Sequence, residues 1–407
     1  MKRTFAAACG FIIFAVVWST LAVPALKMYP TNLDVTAHYA GTFTLFVNPA
    51  TGAPLTTPTQ LPLAIDRHIK ALSNESGASL VVVRETITQK AGDLVNADQT
   101  NVYVMDRHTM KNVADRRAYA FQPSNIVDRS GDYRLNLPFD TSSAKTYQIY
   151  KNELGIAYPM RAQASRPTQV EAGMRLRNFH ASVTDVPLDA AYLAELNRVM
   201  PLPASMTLTQ LKPQLKAAGL DVDAVLAALS PTITPSDLSA LLQLSLKPIA
   251  LNYVLSFDGH AAVDPRTGAE VDLGATESVG VKPALVDTAA LQTVLSRYPA
   301  VPQAVAAVQA LSALSGAPAT KLISYRYQQT AASVLDVARK VKSMRRQLGL
   351  AAVTVPFALV VAGLLMLAFS GWLYWRQQRH ASANPPETPP LTGRPGVQIP
   401  VRVGSAR

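Results

Sequence analysis

Residues 348–375 read LGLAAVTVPFALVVAGLLMLAFSGWLYW, an uncharged run closed at once by Arg376. At about 1.5 Å per residue, a helix of this length exceeds the roughly 30 Å hydrocarbon core of a bilayer, so it spans with tilt or protrudes at one end. Trp372, Tyr374 and Trp375 stand beside Arg376 and Arg379, the aromatic belt and basic anchors of a membrane exit. Pro356 deletes one backbone donor near the other end. Local adjustment or neighbouring side chains must cover that loss, and a modest kink is expected there.

Upstream, Val334, Val337, Val341, Met344 and Leu348 recur at steps of three and four, with Arg339, Lys340, Lys342, Arg345 and Arg346 between them. One long helix is expected to run from an outer domain into the bilayer. Its apolar seam has three candidate partners: the domain, the neighbourhood of the other anchor, or a second copy, so a homo-oligomer stays open. Two heptads are too few to define a coiled coil. The basic side chains suit anionic lipid headgroups, each worth about 1 kcal/mol near a charged surface, or else form a solvated face. With Trp372, Tyr374, Trp375 and Arg376 they make up the expected membrane-interface set, and the lipid bilayer is the expected partner.

Met1-Lys2-Arg3 precedes a second uncharged segment, Thr4 to Leu26, ended by Lys27. It reads as a retained signal anchor rather than a peptide cleaved after Ala25, because the apolar run is longer than the 7 to 15 residues usual for a signal. Lys2 and Arg3 at one end, with Arg376 and Arg379 at the other, put both termini in the cytoplasm by the positive-inside tendency. The cluster around Arg345 pulls the other way, but a long translocated domain is less bound by that tendency. The single cysteine, Cys9, lies inside this segment, so no intramolecular disulfide is available. The formal charge of +11 is spread along the chain with one dense patch beside the membrane, which argues against a nucleic-acid partner.

Between the anchors, Tyr39 to Val183 is rich in Thr, Val, Tyr and Phe, broken by Pro, Asn, Asp and Gly, a strand-and-turn composition. One pattern recurs in Asn48–Leu55, Asp106–Val113 and Asp264–Val271: Asn or Asp, two residues, Thr, then usually Gly. The Asx side chain can bond backbone two residues on, Thr adds an acceptor, and Gly takes positive φ freely. Hairpin tips are expected, and Met110, where Gly is usual, suggests that the middle copy turns differently. Tyr133, Leu135, Leu137 and Phe139 alternate as a half-buried strand, and Tyr147 with Ile149 as another. From Asp185 to about Leu246 the chain turns Ala- and Leu-rich, predicting three or four short helices, one capped by Thr234 before Pro235. Leu251, Tyr253, Leu255 and Phe257 return to sheet. A helical region over Pro283–Ser315 then leads to a last strand at Ser324–Tyr327. Beyond Arg379 the tail, with Pro385, Pro386, Pro389 and Pro390, lacks apolar residues for a core and is expected to be disordered.

The N-terminal anchor, the Asp106-Arg107-His108-Thr109 turn, Pro138-Phe139-Asp140-Thr141 then Lys145-Thr146-Tyr147, the Val263-Asp264-Pro265-Arg266-Thr267-Gly268 turn and the final anchor come in an order that resembles the actinobacterial membrane family labelled porin PorA. The resemblance covers nearly the whole chain. It implies an envelope protein with an external domain between two anchors, and carries no catalytic residues to transfer.

The expected fold is therefore α+β: a β-rich extracytoplasmic domain with an inserted bundle of short helices, flanked by N- and C-terminal transmembrane helices. Its segments are residues 1–27 (anchor), 28–184 (β-rich), 185–250 (helical insertion), 251–327 (sheet with helices), 328–347 (basic helix), 348–375 (transmembrane helix) and 376–407 (cytoplasmic tail). No zinc helix, phosphate loop, nucleophile elbow or CxxC pair is present, so no enzyme, metal or cofactor is expected. Asp66-Arg67-His68, echoed at Asp106-Arg107-His108, is the nearest thing to acid–base chemistry, and neighbours on a strand point apart. An external domain that binds a lipid, a cell-wall component or a partner protein is the leading expectation. A pore or transport component comes second. A hydrolase or transferase gathering His68, His108 or Asp140 comes third.

Overall fold

A computed structural model describes residues 2–48, 54–93, 95–164, 169–200, 202–217, 219–284, 288–314 and 317–383. The expected tail beyond 383 and the tip after Asn48 lie outside them. Two compact units emerge: one joins the N-terminal helix as far as Pro24 to the chain from Gly349 onward, and the other is Ala25–Leu348.

The first unit is a pair of helices. Helix α1 (Lys2–Val17) passes through a π-helical turn, Trp18–Ala22, into α2 (Val23–Leu26). Its other helix begins with a second π-helical turn, Leu350–Thr354, and continues as α10 (Val355–Ala383), which runs on past Arg376 and Arg379; α9 (Ala331–Gly349) belongs, as far as Leu348, to the second unit. Helix α1 packs on α10, and Trp18 bonds Ala351. The packed segments precede Trp18 and follow Ala351, so the helices are antiparallel and their outer ends lie together. The buried face of α10 presents Pro356, Gly363 and Ser370 at steps of seven, while Phe357, Leu364, Leu365 and Phe369 are exposed. Small residues on that face let the two backbones approach closely.

In the second unit, alternation of inward apolar and outward polar residues builds long antiparallel strands. They are β1 (Asp34–Val47), β2 (Pro54–Ala71), β3 (Leu80–Ala91), β4 (Val95–Asp106), β5 (Tyr119–Phe121), β6 (Tyr147–Lys151), β7 (Ile156–Ala162), β8 (Gln169–Glu171), β9 (Met174–Pro187), β10 (Ser205–Met206), β11 (Ile249–Val263), β12 (Glu270–Pro283) and β13 (Thr320–Gln329). Their order along one curled sheet is β5-β4-β3-β2-β1-β13-β12-β11-β9-β7-β6, with β8 beside β9 and β10 beside β11. The last strand in sequence thus sits in the middle, zipping the first meander (Phe43 opposite Tyr325) to the second (Glu277 opposite Tyr325). Outward positions carry Thr36, His38, Asp66, Asp258, Thr276 and Arg326, all exposed. A membrane-spanning barrel needs an apolar outer band, and these rows are its inverse.

Five helices form a layer of their own. α4 (Leu208–Ala217), α5 (Val222–Leu229) and α6 (Pro235–Leu246) leave the sheet before β11, whereas α7 (Thr288–Leu295) and α8 (Pro302–Leu314) leave it before β13. All five share one core around Leu229 and Ala304. Thr234 caps α6 as expected, accepting from the Asp237 amide, and Tyr298 donates to the Asp237 carboxylate at 2.6 Å. The remaining helix of the insertion, α3 (Ala190–Val199), instead lays Leu193, Leu196 and the adjoining Met200 on the sheet.

Two expectations are corrected. Residues 133–139 make no strand: Leu135 and Leu137 are buried as the alternation required, but only Tyr133 bridges, in parallel, to Ile149. The pairing with β6 stops at that single bridge, so no ladder forms. Met110 does not turn the middle copy differently. It holds φ +63° where Gly268 holds φ +72°, and Asp106 and Asp264 each accept from the amide and hydroxyl of the following Thr. Met110 is fully buried among Tyr29, Val81, Tyr103 and Leu135, so core packing offsets the left-handed backbone cost of about 1–2 kcal/mol. At Gly268 glycine is required, because a Cβ would run into the Leu137 carbonyl.

Candidate functional site

The curled sheet encloses a cavity of about 320 Å³, at the lower end of the range of small-molecule sites. Tyr39, Phe43 and Leu45 on β1, Ile65 on β2, Ile323 on β13 and Leu196 on α3 supply much of its apolar wall. Helix α3 covers one side, its Tyr192 ring 5.4 Å from Phe121 and its Glu195 accepting from Gln122 at 2.7 Å.

Into this wall two buried ion clusters are set. In the first, Glu85 is fully buried. It takes Arg67 Nε at 2.7 Å, the Tyr103 hydroxyl at 2.6 Å and Asn101 at 3.1 Å, with Arg134 at 3.6 Å. Burial opposes its charge, but Arg134, Arg67 and the Tyr103 hydrogen bond together outweigh that and bring its carboxyl down to about 2. Tyr103 is pushed up to about 12, by burial first and then by Glu85. Glu270 fares differently. Arg67 approaches it only to 3.7 Å, beyond a hydrogen bond, so burial prevails over the cation and raises its pKa.

In the second cluster, Lys151 reaches Glu277 at 2.9 Å and Glu153 at 3.4 Å and lies over the Phe257 ring at 4.7 Å. That ring folds over Gly259, where a Cβ would collide with it. Tyr327 donates to Glu277 at 2.7 Å. Burial opposes the Lys151 charge, yet Glu153 and Glu277 prevail and its pKa is raised. Among the described residues of this wall two atoms are under-satisfied: Glu153 Oε2 accepts no hydrogen bond beyond the 3.4 Å ion pair with Lys151, and Gln99 Nε2 donates none.

Arg129 joins the two ends of the sheet. It donates to the Val102 and Tyr119 carbonyls on the β4–β5 side and to Asn152 just after β6, with its guanidinium 4.6 Å from the Tyr103 ring centre. Burial lowers its pKa.

The sequence-predicted residues lie elsewhere. Val334, Val337 and Val341 pack on Met174, Leu176, Ala262 and Val271, so the seam of α9 is taken up by the domain itself. Its basic residues are partly engaged there too. Lys340 bonds the Asp34 carbonyl, Lys342 the Ala172 carbonyl, Arg345 lies 3.4 Å from buried Asp264, and Arg339 pairs with Asp336; Arg346 is exposed. Arg376 lies over Trp372 and Arg379 over Trp375, with Tyr374 exposed beside them. His68 pairs with Asp34, His108 sits in the Asp106 turn and Asp140 pairs with Lys27. None of the three lines the cavity, and the hydrolase expectation loses its geometric support. Asp66 and His68 face outward while Arg67 between them faces the ion cluster, as strand alternation demands.

The residues of the ion clusters escaped the sequence reading, although a signal existed. Glu85 stands at the apolar step of Val83-Arg84-Glu85-Thr86-Ile87, and Arg67 at that of Ile65-Asp66-Arg67-His68-Ile69. A charge in an inward register is costly unless paired, so each such position points to a partner across the sheet.

The family model described as Porin PorA matches residues 4–372. No curated protein matches the chain. A solved structure, a conserved protein of unknown function with hot dog fold from Alicyclobacillus acidocaldarius, matches at 12% identity and a TM-score of 0.10, over 78% of this chain and 86% of that one. A score this low carries no argument about fold.

Proposed function

Since the chain belongs to the porin PorA family, we propose that it is a non-enzymatic cell-envelope protein, held by its two paired helices, whose sheet domain stands outside the cytoplasm and takes an amphiphilic ligand into its cavity. The observation that carries this is the wall itself: a mostly apolar lining interrupted by two clusters of buried ions. Buried polar networks are costly unless satisfied, so an enclosed space lined by both chemistries suits a molecule with both. The polar outer rows support a sheet in water, and the antiparallel anchors support chain ends on a common side. Arg345, Arg346 and the Trp372–Arg376 cluster would then lie at the two faces of the bilayer.

Native mass spectrometry of the full chain, extracted from its own membranes, tests this. Wild type should release a small amphiphile that is missing from Ala181→Leu, which fills the cavity wall. Identical spectra from both would overturn the reading.

A second reading follows from the family, a pore or transport component of the envelope. Two helices line a channel only as an oligomer, so this reading predicts conductance in planar bilayers together with a multimer in detergent. A silent monomer would remove it.

A further inference from the structure

The cavity wall also constrains the ligand's head, given the amphiphile reading above. Three cations face inward, Arg67, Arg134 and Lys151, and each lies within 4 Å of a carboxylate: Arg67 of Glu85 and Glu270, Arg134 of Glu85, and Lys151 of Glu153 and Glu277. Among the described residues, three positive charges against these four carboxylates leave no positive surplus, and the lining also includes the acidic Asp98 and Glu195. An anionic head such as a phosphate would enter a site whose cations are already claimed, at the cost of an uncompensated buried charge. A cationic head would meet Lys151 and the two arginines. What the wall does offer, among the described residues, is one buried acceptor met only by the long 3.4 Å approach of Lys151, Glu153 Oε2, and one buried donor without an acceptor, Gln99 Nε2. A hydroxyl is the small group that donates and accepts at once, and several hydroxyls on one ring could serve both atoms while tyrosine rings flank it.

We infer that the cavity takes an uncharged, hydroxyl-rich head of sugar type, its hydroxyls bonded to Glu153 and Gln99, with a short apolar tail against Phe43, Leu45, Leu196 and Met200. Selectivity then lies in these two under-satisfied groups, and retention lies in the apolar wall.

The test uses the full chain in phosphatidylcholine nanodiscs, titrated below micellar concentration with octyl β-glucoside, octyl phosphate and octyltrimethylammonium, with empty discs as blank. The glucoside should bind at least ten-fold tighter than either charged probe. Ala181→Leu should abolish its binding. Gln99→Leu, at a partly exposed strand position where folding is little at risk, should weaken the glucoside at least five-fold and leave the charged probes unchanged. A charged probe that binds more tightly than the glucoside, and is lost in Ala181→Leu, overturns the sugar-type head while leaving the cavity reading intact. Failure of every probe, or binding indifferent to Ala181→Leu, overturns both. Glucoside binding unaffected by Gln99→Leu and by Glu153→Gln removes the assignment to those two residues.

Discussion

The indole N–H of Trp18 donates to the carbonyl of Ala351 at 2.9 Å, across 333 residues of sequence. This carbonyl is one the helix cannot serve. The Val355 amide bonds Leu350 instead of Ala351, and the next position, where a π register would supply a donor, is Pro356. A bare carbonyl away from water is costly, and a side chain from the partner helix covers it.

Trp18→Phe should therefore loosen the pair by about 0.6–1.7 kcal/mol, the range for hydrogen bonds between membrane helices. Pro356→Ala restores a backbone donor, so the double variant should lose less than Trp18→Phe alone. Thermal unfolding of all four proteins in detergent gives the coupling, and strict additivity would contradict the account.

Met110 and Gly268 occupy equivalent turn positions for opposite reasons. Met110→Gly should relieve strain yet cost about 2–4 kcal/mol through its lost buried side chain. Gly268→Ala should be worse still, because a Cβ meets the Leu137 carbonyl. Urea denaturation checks both, and a Met110→Gly protein more stable than wild type would show that backbone strain rather than packing governs the middle turn.

Arg129→Met removes the donor shared by Val102, Tyr119 and Asn152 while keeping an apolar stem over Tyr103. Each carbonyl left bare costs about 1–3 kcal/mol. Amide exchange should speed up first in β5 and β6, the two ends of the sheet; uniform acceleration would indicate global weakening only.

Glu85 and Glu270 should respond oppositely. Glu85 has a folded pKa of about 2, below its ordinary 4.5, so its stabilisation is present above pH 4.5 and is lost as pH falls from there towards 2. Glu85→Gln strands two arginines and should cost about 3–5 kcal/mol at neutral pH. Glu270 is raised, so its favourable state is the protonated one below its ordinary pKa, and it works against the fold as pH rises through the folded value. Glu270→Gln should be neutral or stabilising at pH 7, and it should flatten that part of the stability profile. Melting temperatures across pH 2–8 check both signs.

By itself the sequence determined what depends on near neighbours. Hydrophobic length marked both candidate membrane helices, a period of 3.6 marked α9 and its buried valines, Thr234-Pro235 marked a helix start, and Asp264 to Gly268 marked a hairpin tip. Each is a local pattern that repeats within a few residues, so any competent reading of the chain recovers it. Only the tertiary structure decided which strands pair, because β13 inserts between β1 and β12 through contacts that no local pattern encodes. It alone left Tyr133–Phe139 without a ladder, held Met110 in a left-handed turn by burying it, and set Glu85 against Arg67 and Arg134. A charge at an inward position announces that it needs a partner. Which partner answers depends on the curvature of the sheet, and curvature belongs to all the strands at once.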